Sequence, residues 1–404
     1  MSDISITAGQ ADDRADAVPA GLGRTAVLAL GTFAVGTDAF VLAGFLPDVA
    51  ASLHVSTGGA GQAVTVFAAA YALASPLVAT MTARVPRRAL LVAALVLLAV
   101  ANAGSALAPN LPFLLVTRVL AAVAAAAYTP TAGAVSVALV RPELRARALA
   151  VVVGGLTVAT ALGVPLGDAI GAVMGWRAAL WLVAALCLVT AVAAGALMPS
   201  LPGGMPVPLR ARLAALRHPG VAAVLPLTAL GMTAAYTVYA YAVPAFAGVG
   251  VSGSGTTWML GFYGLGAVAG NLASGIAADH LGPVRVLAVG YTLMAASMTG
   301  FALLAATGLR APVAVGVASA VWGAASWCQT PPQQHRLIEA APAQAPLLVA
   351  LNSSAIYLGI GAGTVIGGLA VPAGAGTMFT IAAVLALTAL AWLATTSRTP
   401  TSAR

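Results

Sequence analysis

The sequence predicts an all-α membrane protein with twelve transmembrane helices in two six-helix bundles, and three observations support this. Of the 404 residues, 61% are hydrophobic and only 7% are charged, whereas about 25% are charged in an ordinary soluble domain. Apolar runs of about 20 residues, the length of a membrane-crossing helix, fill nearly the whole chain. Arginines are concentrated in every second loop between these runs, as expected of a chain that crosses a bilayer repeatedly.

The apolar runs fall into two sets of six. The first set predicts an N-terminal six-helix bundle over 24–198, with spans at 24–46, 60–82, 89–108, 112–139, 148–171 and 177–198. The second set predicts a C-terminal six-helix bundle over 220–396, with spans at 220–244, 256–278, 284–306, 311–331, 346–370 and 373–396. Because spans and short loops use nearly the whole length, no separate soluble domain is expected.

Three polar segments complete the predicted organisation. Residues 1–23 carry four aspartates and no apolar core, so we expect a polar N-terminal tail rather than a signal peptide. Residues 199–219 combine three arginines with prolines and glycines, which do not continue a helix, and this pattern predicts a cytoplasmic linker between the bundles. Residues 397–404 form the expected C-terminal tail.

The arginines orient the predicted helices. With the N-terminus placed in the cytoplasm, 15 of the 18 arginines lie on the inner side, while Arg177 and Arg310 lie outside and Arg118 lies within a span. Cytoplasmic loops carry an excess of basic residues. We therefore expect both termini in the cytoplasm and a multi-pass protein of the cell membrane.

The composition also excludes several functions. The chain has no lysine, so it cannot supply the phosphate-binding lysine of a P-loop or a Schiff-base lysine for retinal or pyridoxal phosphate. Cys187 and Cys328 lie within apolar runs, and neither a metal nor another cofactor is predicted. The net charge of +8 is spread over short loops, which indicates topology rather than nucleic-acid binding.

Asp38 is the main candidate for proton coupling. It lies in the first predicted span among apolar residues, where a charge costs at least about 2.5 kcal/mol on insertion scales. A carboxyl group in such surroundings can take up and release a proton near neutral pH. The alternatives are an aspartate that reaches the outer interface, or one that is permanently paired with an arginine.

Arg118 and Asp168 are the other two ionisable residues in predicted spans. Arg118 stays charged at physiological pH, so it can hold an anionic group of a substrate or pair with Asp38. The alternative is a side chain that extends to the interface. Asp168 is predicted either to be a second proton-coupling acid or to be an interfacial charge near Arg177.

Glycines recur at matched positions in the two halves. They are spaced four residues apart in span five and again in span eleven, six helices later, at Gly163, Gly167, Gly171, Gly175, Gly359, Gly363 and Gly367. Span eight adds Gly266 and Gly270. Residues four apart share a helix face, so another helix can approach closely there. We expect the two halves to meet and rock along these seams.

Neutral polar and aromatic residues in the second half are weaker candidates for substrate contact. Tyr236 and Tyr239 share one face of span seven, and Asn271, Trp322 and Asn352 fall in later spans. Such side chains can line a cavity for a flat, apolar ligand. Aromatic residues near span ends also serve as interfacial anchors, which is the alternative.

Several motifs resemble those of the major facilitator superfamily, particularly its twelve-span drug:proton antiporters. Span one contains the acid-bearing stretch GTDAFVLAGFLP, and Arg118 matches the arginine of the fourth-span motif. The resemblance implies a role in conformational change for span five, at Gly154, Gly163, Pro165, Gly167 and Gly171. It implies an inner-side latch in the loop after span eight, at Gly275, Asp279, Gly282 and Arg285.

The chain departs from the superfamily motifs at specific positions. In the loop after span two, Ala79 and Ala83 replace a glycine and an acid of the signature, whereas Asp279 retains the acid in the second half. Asp168 occupies the usual proline position of the span-five motif, and Pro165 lies three residues earlier. The expected helix kink is therefore shifted towards Pro165.

The motifs together predict a proton-coupled efflux transporter that works by alternating access and acts as a monomer. Its expected partners are protons, the lipid bilayer and a small apolar or amphipathic substrate, as in multidrug resistance. One alternative is an exporter of a sugar, nucleoside or other metabolite with the same fold. A membrane-embedded lipid enzyme, which would need a cluster of acidic residues and histidines, and a non-transporting sensor are more distant alternatives.

Overall fold

The computed structural model describes residues 23–141, 144–203 and 214–397, and the regular structure in these ranges is helical. Most of the predicted N-terminal tail, the middle of the predicted linker and nearly all of the C-terminal tail lie outside the described residues. Inner and outer refer below to the two membrane sides as the arginine distribution assigns them.

The N-terminal bundle contains six long helices. They are α1 (Gly23–Leu53), α2 (Thr57–Met81), α3 (Arg87–Ala106), α4 (Leu111–Ala138), α5 (Arg147–Met174) and α6 (Trp176–Leu197). Each coincides with a predicted span, with one correction. The first helix continues past 46 to Leu53, because Pro47 lies in the first turn of its last segment, where the missing amide hydrogen breaks no hydrogen bond.

The C-terminal bundle repeats this arrangement. Its helices are α7 (Pro219–Tyr239), α8 (Ser254–Leu281), α9 (Pro283–Thr307), α10 in two segments (Pro312–Trp327 and Thr330–Ala340), α11 (Ala345–Ala370) and α12 (Ala375–Thr396). A short helix (Ala242–Ala247) follows α7. The spans predicted at 220–244 and 311–331 are thus each divided into two pieces.

In the described part of the chain, eleven helices are long and apolar enough to cross a membrane. The remaining predicted span corresponds to α10, whose first segment has 16 residues. The backbone at Cys328 and Gln329, between its two segments, keeps right-handed helical angles, so the second segment extends the first. The count of twelve crossings and the cytoplasmic termini stay predictions.

Several helices begin or end at capping residues in the short connections between them. The side chains of Ser56 and Asn110 each accept a 3.0 Å hydrogen bond from a backbone amide in the first turn of the following helix. At Gly282, between α8 and α9, φ is +83°, a value that side-chain-bearing residues rarely adopt. These tight turns keep consecutive helices antiparallel and adjacent.

The helix α5 contains a π-helical turn over Ala159–Gly163, immediately before Pro165. Proline has no amide hydrogen, and its ring clashes with the carbonyl group four residues earlier, which here belongs to Ala161. A wider π turn accommodates this conflict without ending the helix. The irregularity predicted for span five is therefore present next to Pro165.

The glycine faces form close contacts within each bundle, which corrects the predicted position of the seam between the halves. A Cβ atom at Gly163, Gly167 or Gly171 would meet side chains of α1, namely Thr37, Val41 and Phe45. Cβ atoms at Gly359, Gly363 and Gly367 would meet α7. Cβ atoms at Gly266 and Gly270 would meet the backbone of α10. The spacing correctly predicts close helix contact but not which helix makes it.

The helix pairs that join the two bundles instead include α2 with α11 and α5 with α8. Gly361 lies against Ala68 and Thr65 of α2, and Gly264 lies against the backbone of Thr160 and Ala161 in α5. Near the outer ends, Gly58 lies against the carbonyl group of Gly368. These contacts fall between the middle and the outer ends of the helices, so the halves are joined on the outer side.

Neighbouring glycines in α5 offer a matched test of this packing. A Cβ atom at Gly155 would collide with the backbone oxygen of Ala29 and the hydroxyl group of Thr32, whereas a Cβ atom at Gly154 would meet nothing within 4 Å. We expect Gly155→Ala to lower the thermal unfolding midpoint of the detergent-solubilised protein, since overpacking costs about 1–3 kcal/mol. Gly154→Ala should leave it unchanged or raise it, because alanine favours helices. Equal midpoints for the two variants would contradict the packing described here.

Candidate functional site

The buried ion pair between Asp38 and Arg118 is the centre of the candidate site. Arg118 Nη1 donates a 2.7 Å hydrogen bond to Asp38 Oδ1, and Nη2 donates a 3.1 Å hydrogen bond to the backbone oxygen of Asp38. The exposed fractions of the two side chains are 0% for Asp38 and 1% for Arg118. The structure therefore places Asp38 inside the protein, and it forms the predicted pair with an arginine.

The pair leaves hydrogen-bonding capacity unused on both partners. Asp38 Oδ2 and Arg118 Nε have no hydrogen-bond partner among the described residues. Buried polar atoms are usually hydrogen-bonded, and unsatisfied ones frequently mark a functional position. Asp38 Oδ2 is therefore free to accept a hydrogen bond while Oδ1 remains bonded to Arg118.

Aromatic rings surround the pair and extend to the opposite bundle. The guanidinium carbon of Arg118 lies 4.6 Å from the ring centre of Phe67, which is within range of a cation–π interaction. Phe67 lies 6.0 Å from Tyr357 of α11, and Tyr71 stacks on Tyr357 with ring centres 3.8 Å apart. The rings of α2 thus connect the charged pair to the C-terminal bundle.

Phe40 makes a second connection, only two residues after Asp38. Its ring centre lies 6.0 Å from Tyr236, 6.5 Å from Tyr239 and 6.0 Å from Trp327. Tyr236 and Tyr239 are themselves 5.1 Å apart, as their predicted shared face requires. A movement of Asp38 relative to Arg118 would shift the turn that bears Phe40, and therefore its contacts with the C-terminal bundle.

Trp322 lies at the centre of an aromatic cluster in the C-terminal bundle. It is fully buried, with ring-centre distances of 4.7 Å to Tyr263 and 6.2 Å to Tyr239. Its indole nitrogen has no hydrogen-bond partner among the described residues. Trp322 is thus linked to the candidate site through Tyr239 and Phe40.

Asp168 lies near the outer end of α5, at the contact between the bundles. It accepts a short hydrogen bond from the hydroxyl group of Thr257 in α8, and its carboxyl group lies against Gly44 of α1. Arg177 instead donates to the carbonyl group of Ala108. The structure therefore pairs Asp168 with the opposite bundle and not with Arg177.

The two predicted asparagines lie apart from the Asp38–Arg118 pair. Asn352 of α11 accepts a 3.0 Å hydrogen bond from Thr228 of α7, and Asn271 of α8 donates a 3.3 Å hydrogen bond to the carbonyl group of Trp327. Both bonds join helices within the C-terminal bundle. The Nδ2 atom of Asn352 has no hydrogen-bond partner among the described residues.

The C-terminal bundle also contains a polar cluster around Gln329, most of whose members the sequence does not predict. Tyr291 donates a 2.9 Å hydrogen bond to Gln329, Gln333 donates at 3.5 Å to the Tyr291 hydroxyl group, and Arg336 donates at 3.3 Å to Gln333. Gln333 and Arg336 lie beyond the predicted end of span ten at 331. Two adjacent glutamines after a proline pair, in an otherwise apolar chain, are the signal that could have found it.

The residues expected to form an inner-side latch do not contact one another here. Asp279 and Arg285 are both exposed, and neither has a hydrogen bond or ion pair within the described ranges. Gly282 forms the turn between them, and Gly275 lies 3.9 Å, measured from an ideal Cβ atom, from Pro331. Since the bundles are joined on the outer side, an inner latch would not be engaged in this conformation.

The sequence matches a family model described as Major Facilitator Superfamily over residues 28–334. The chain belongs to the Major Facilitator Superfamily. It is accordingly a multi-pass membrane protein that transports small molecules, and the family and fold are those of transporters rather than enzymes.

Curated members of the Major Facilitator Superfamily align with most of the chain. A chloramphenicol resistance protein of Streptomyces lividans is 33% identical over 349 residues, which are 84% of this chain and 87% of that protein. The inner membrane transport protein YdhP of Escherichia coli (strain K12) is 29% identical over 354 residues, which are 87% of this chain and 90% of that protein.

Solved structures of other transporters share the fold. A bacterial homologue of the human lysosomal transporter Spinster, in an inward-facing and occupied conformation, aligns with a TM-score of 0.71 and 18% identity over 94% of this chain and 97% of that one. The human organic anion transporter MFSD10 aligns with a TM-score of 0.70 and 18% identity over 92% of this chain and 99% of that one.

A double-mutant cycle tests the Asp38–Arg118 interaction. Arg118→Met leaves the Asp38 carboxylate buried without its partner, so we expect a loss of about 3–5 kcal/mol of stability. Adding Asp38→Asn to that variant removes the unpaired charge and should recover part of the loss. The unfolding midpoint of the purified protein in lipid reports both effects. Additive losses in the double variant would show that the two residues do not interact.

Proposed function

We propose that this transporter exports a small apolar or amphipathic compound from the cytoplasm in exchange for protons, by alternating access across the cell membrane. The observation that carries the proposal is the buried Asp38 carboxylate, which has one oxygen bonded to Arg118 and the other free. A proton taken up by the free oxygen would remove the charge that pairs with Arg118, so proton uptake would be linked to the strength of this pair.

In the proposed cycle, the pair controls the fit between the bundles. When Asp38 is charged, its bond to Arg118 fixes the turn of α1 that carries Phe40. When a proton neutralises the carboxyl group, the ion pair is lost, and Arg118 keeps its hydrogen bond to the backbone oxygen of Asp38 and its contact with Phe67, which hold this turn less firmly. Phe40 transmits the movement to Tyr236, Tyr239 and Trp327 in the C-terminal bundle. Proton binding and the arrangement of the bundles thereby become linked equilibria.

The aromatic environment supports a cargo with apolar or flat surfaces. The rings of Phe67, Tyr71 and Tyr357 lie where α2 meets α11. The rings of Tyr239 and Trp322 lie next to each other in the C-terminal bundle. Apolar cavities with few polar groups suit such compounds. The similarity to a chloramphenicol resistance protein makes chloramphenicol a reasonable first probe.

In the proposed cycle, contacts between the bundles on the outer side close the transporter to the outside in this conformation. Asp168 with Thr257 and Gly58 with Gly368 join the bundles there, and Tyr241 lies between Gly61 and Gly368. Opening to the outside would have to separate these contacts. The π turn before Pro165 would allow α5 to bend, while its glycines keep it packed on α1.

Asp38→Asn should abolish the coupling between substrate and proton movement. In proteoliposomes that hold a pH-sensitive dye, a chloramphenicol gradient should drive proton movement through the unmodified protein and not through Asp38→Asn. Asp48→Asn is the matched control, since Asp48 lies on the same helix but is exposed. Asp38→Glu, which keeps a carboxyl group, should retain part of the coupling. Unchanged proton movement in a folded Asp38→Asn protein would contradict the proposed role of Asp38.

Thr257→Val should weaken the outer closure. It removes the donor to Asp168. A hydrogen bond contributes about 1 kcal/mol, which corresponds to a shift of about five-fold towards the outward-open state. The background protein carries Cys187→Ser and Cys328→Ser, and Leu260→Cys supplies its single reporter cysteine. The measurement is the rate at which a maleimide added from outside labels this cysteine.

Thr256→Val is the matched control for this experiment. The Thr256 hydroxyl group is buried and has no hydrogen-bond partner among the described residues, so its removal breaks no such bond. Labelling should accelerate for Thr257→Val and stay at the reference rate for Thr256→Val. Identical rates in all three proteins would show that the bond to Asp168 does not hold the outer side closed.

A further inference from the structure

A groove opens on the surface of the C-terminal bundle, away from the Asp38–Arg118 pair. It lies between α8 and α9, with α10 as its floor, and has a volume of about 240 Å³. Large apolar side chains on its rim are exposed, with exposed fractions of 55% for Leu281 and 60% for Val289. In a membrane-spanning bundle, such a surface faces lipid rather than water.

Small residues create the groove. Gly270 and Ser274 of α8 and Gly290 of α9 line it, and Cys328 closes its floor. The Ser274 hydroxyl group is already bonded to the carbonyl group of Asn271, so it demands no partner from a ligand. The lining is therefore apolar over nearly its whole length, and its shape is set by missing side chains.

The length of the groove matches one leaflet of the bilayer. Its lining on α8 extends from Gly270 to Leu281, a distance of about 16 Å at the helical rise of about 1.5 Å per residue. Half of a hydrocarbon core about 30 Å thick is about 15 Å. Because α8 ends on the inner side, the groove extends from the inner surface to the middle of the bilayer.

One charged residue stands at the inner end of this groove. Arg285 lies in the first turn of α9, lines the groove and is exposed, with no ion-pair or hydrogen-bond partner in the described ranges. Asp279 lies nine residues after Gly270, roughly two and a half turns at about 3.6 residues per turn, and so on the opposite face of α8. The inner end of the groove therefore presents a positive charge at the depth of the phosphate groups.

We propose that the groove binds an anionic phospholipid of the inner leaflet, with one acyl chain between α8 and α9 and its phosphate group at Arg285. The apolar lining fits the chain, and basic residues at the cytoplasmic ends of transmembrane helices attract anionic headgroups. Because α8 and α9 lie on either side of the acyl chain, a bound lipid contacts both helices along the inner leaflet. This binding is separate from the transport of a substrate through the centre.

Native mass spectrometry of the delipidated full chain tests the proposal, with phosphatidylglycerol and phosphatidylcholine of identical acyl chains as probes. We expect the protein to retain phosphatidylglycerol more tightly than phosphatidylcholine. Arg285→Gln should weaken the binding of phosphatidylglycerol about five-fold, because one arginine near an anionic membrane surface contributes about 1 kcal/mol. Arg217→Gln is the matched control, since Arg217 is also exposed near the inner end of a helix. Inorganic phosphate should not displace the lipid, because it lacks the acyl chain.

A photoreactive phosphatidylglycerol with a diazirine in its acyl chain locates the site. It should label peptides of α8 and α9, and Ala273→Leu, which fills the groove, should reduce the labelling. Ala269 is exposed on α8 but does not line the groove, so Ala269→Leu should leave the labelling unchanged. Equal lipid retention by the Arg285→Gln and Arg217→Gln proteins would overturn the proposal. Labelling that is insensitive to Ala273→Leu would overturn it as well.

Discussion

A carboxylate and a guanidinium group that share a hydrogen bond inside the membrane impose the main constraint on this molecule. Asp38 and Arg118 lie in different helices of one bundle and are both buried. Separating them would leave a charge in an apolar interior, on Arg118 even if Asp38 took up a proton, at a cost of several kcal/mol unless a new partner forms. Any movement of α1 against α4 that separates the pair must therefore be accompanied by a new partner.

The surrounding contacts divide into two kinds with different consequences for motion. Glycine faces join α5 to α1, α11 to α7 and α8 to α10, where each glycine contacts a backbone or a side chain of the facing helix directly. These contacts lie within a bundle and favour its movement as one body. The contacts between bundles include aromatic rings, a few glycines and the bond from Thr257 to Asp168. Such contacts can separate without unfolding a helix.

Much of the fold follows from the sequence because the bilayer leaves few choices. A backbone in hydrocarbon must satisfy its hydrogen bonds internally, so apolar runs predict helices and their ends closely. The deviations occur where a proline intervenes. Pro47 permits α1 to continue to Leu53, and Pro165 is preceded by a π turn. The break in α10 also lies next to prolines, at Pro331 and Pro332.

The site was predicted in part, for a physical reason. A charge in a span demands a partner, and Arg118 was an evident candidate for Asp38. The partner of Asp168 could not be found in this way, because Thr257 is uncharged and 89 residues away. Glycine spacing identifies a close-packed face but not the helix opposite, so the seams were assigned between the halves instead of within them.

Infrared difference spectroscopy of the protein in lipid, recorded across a series of pH steps, tests most directly whether Asp38 exchanges a proton. The account predicts a carboxyl band that changes with pH in the unmodified protein and in Asp48→Asn, and that is missing from Asp38→Asn. A band of full size in a folded Asp38→Asn protein would assign the exchanging proton to another group and contradict the account.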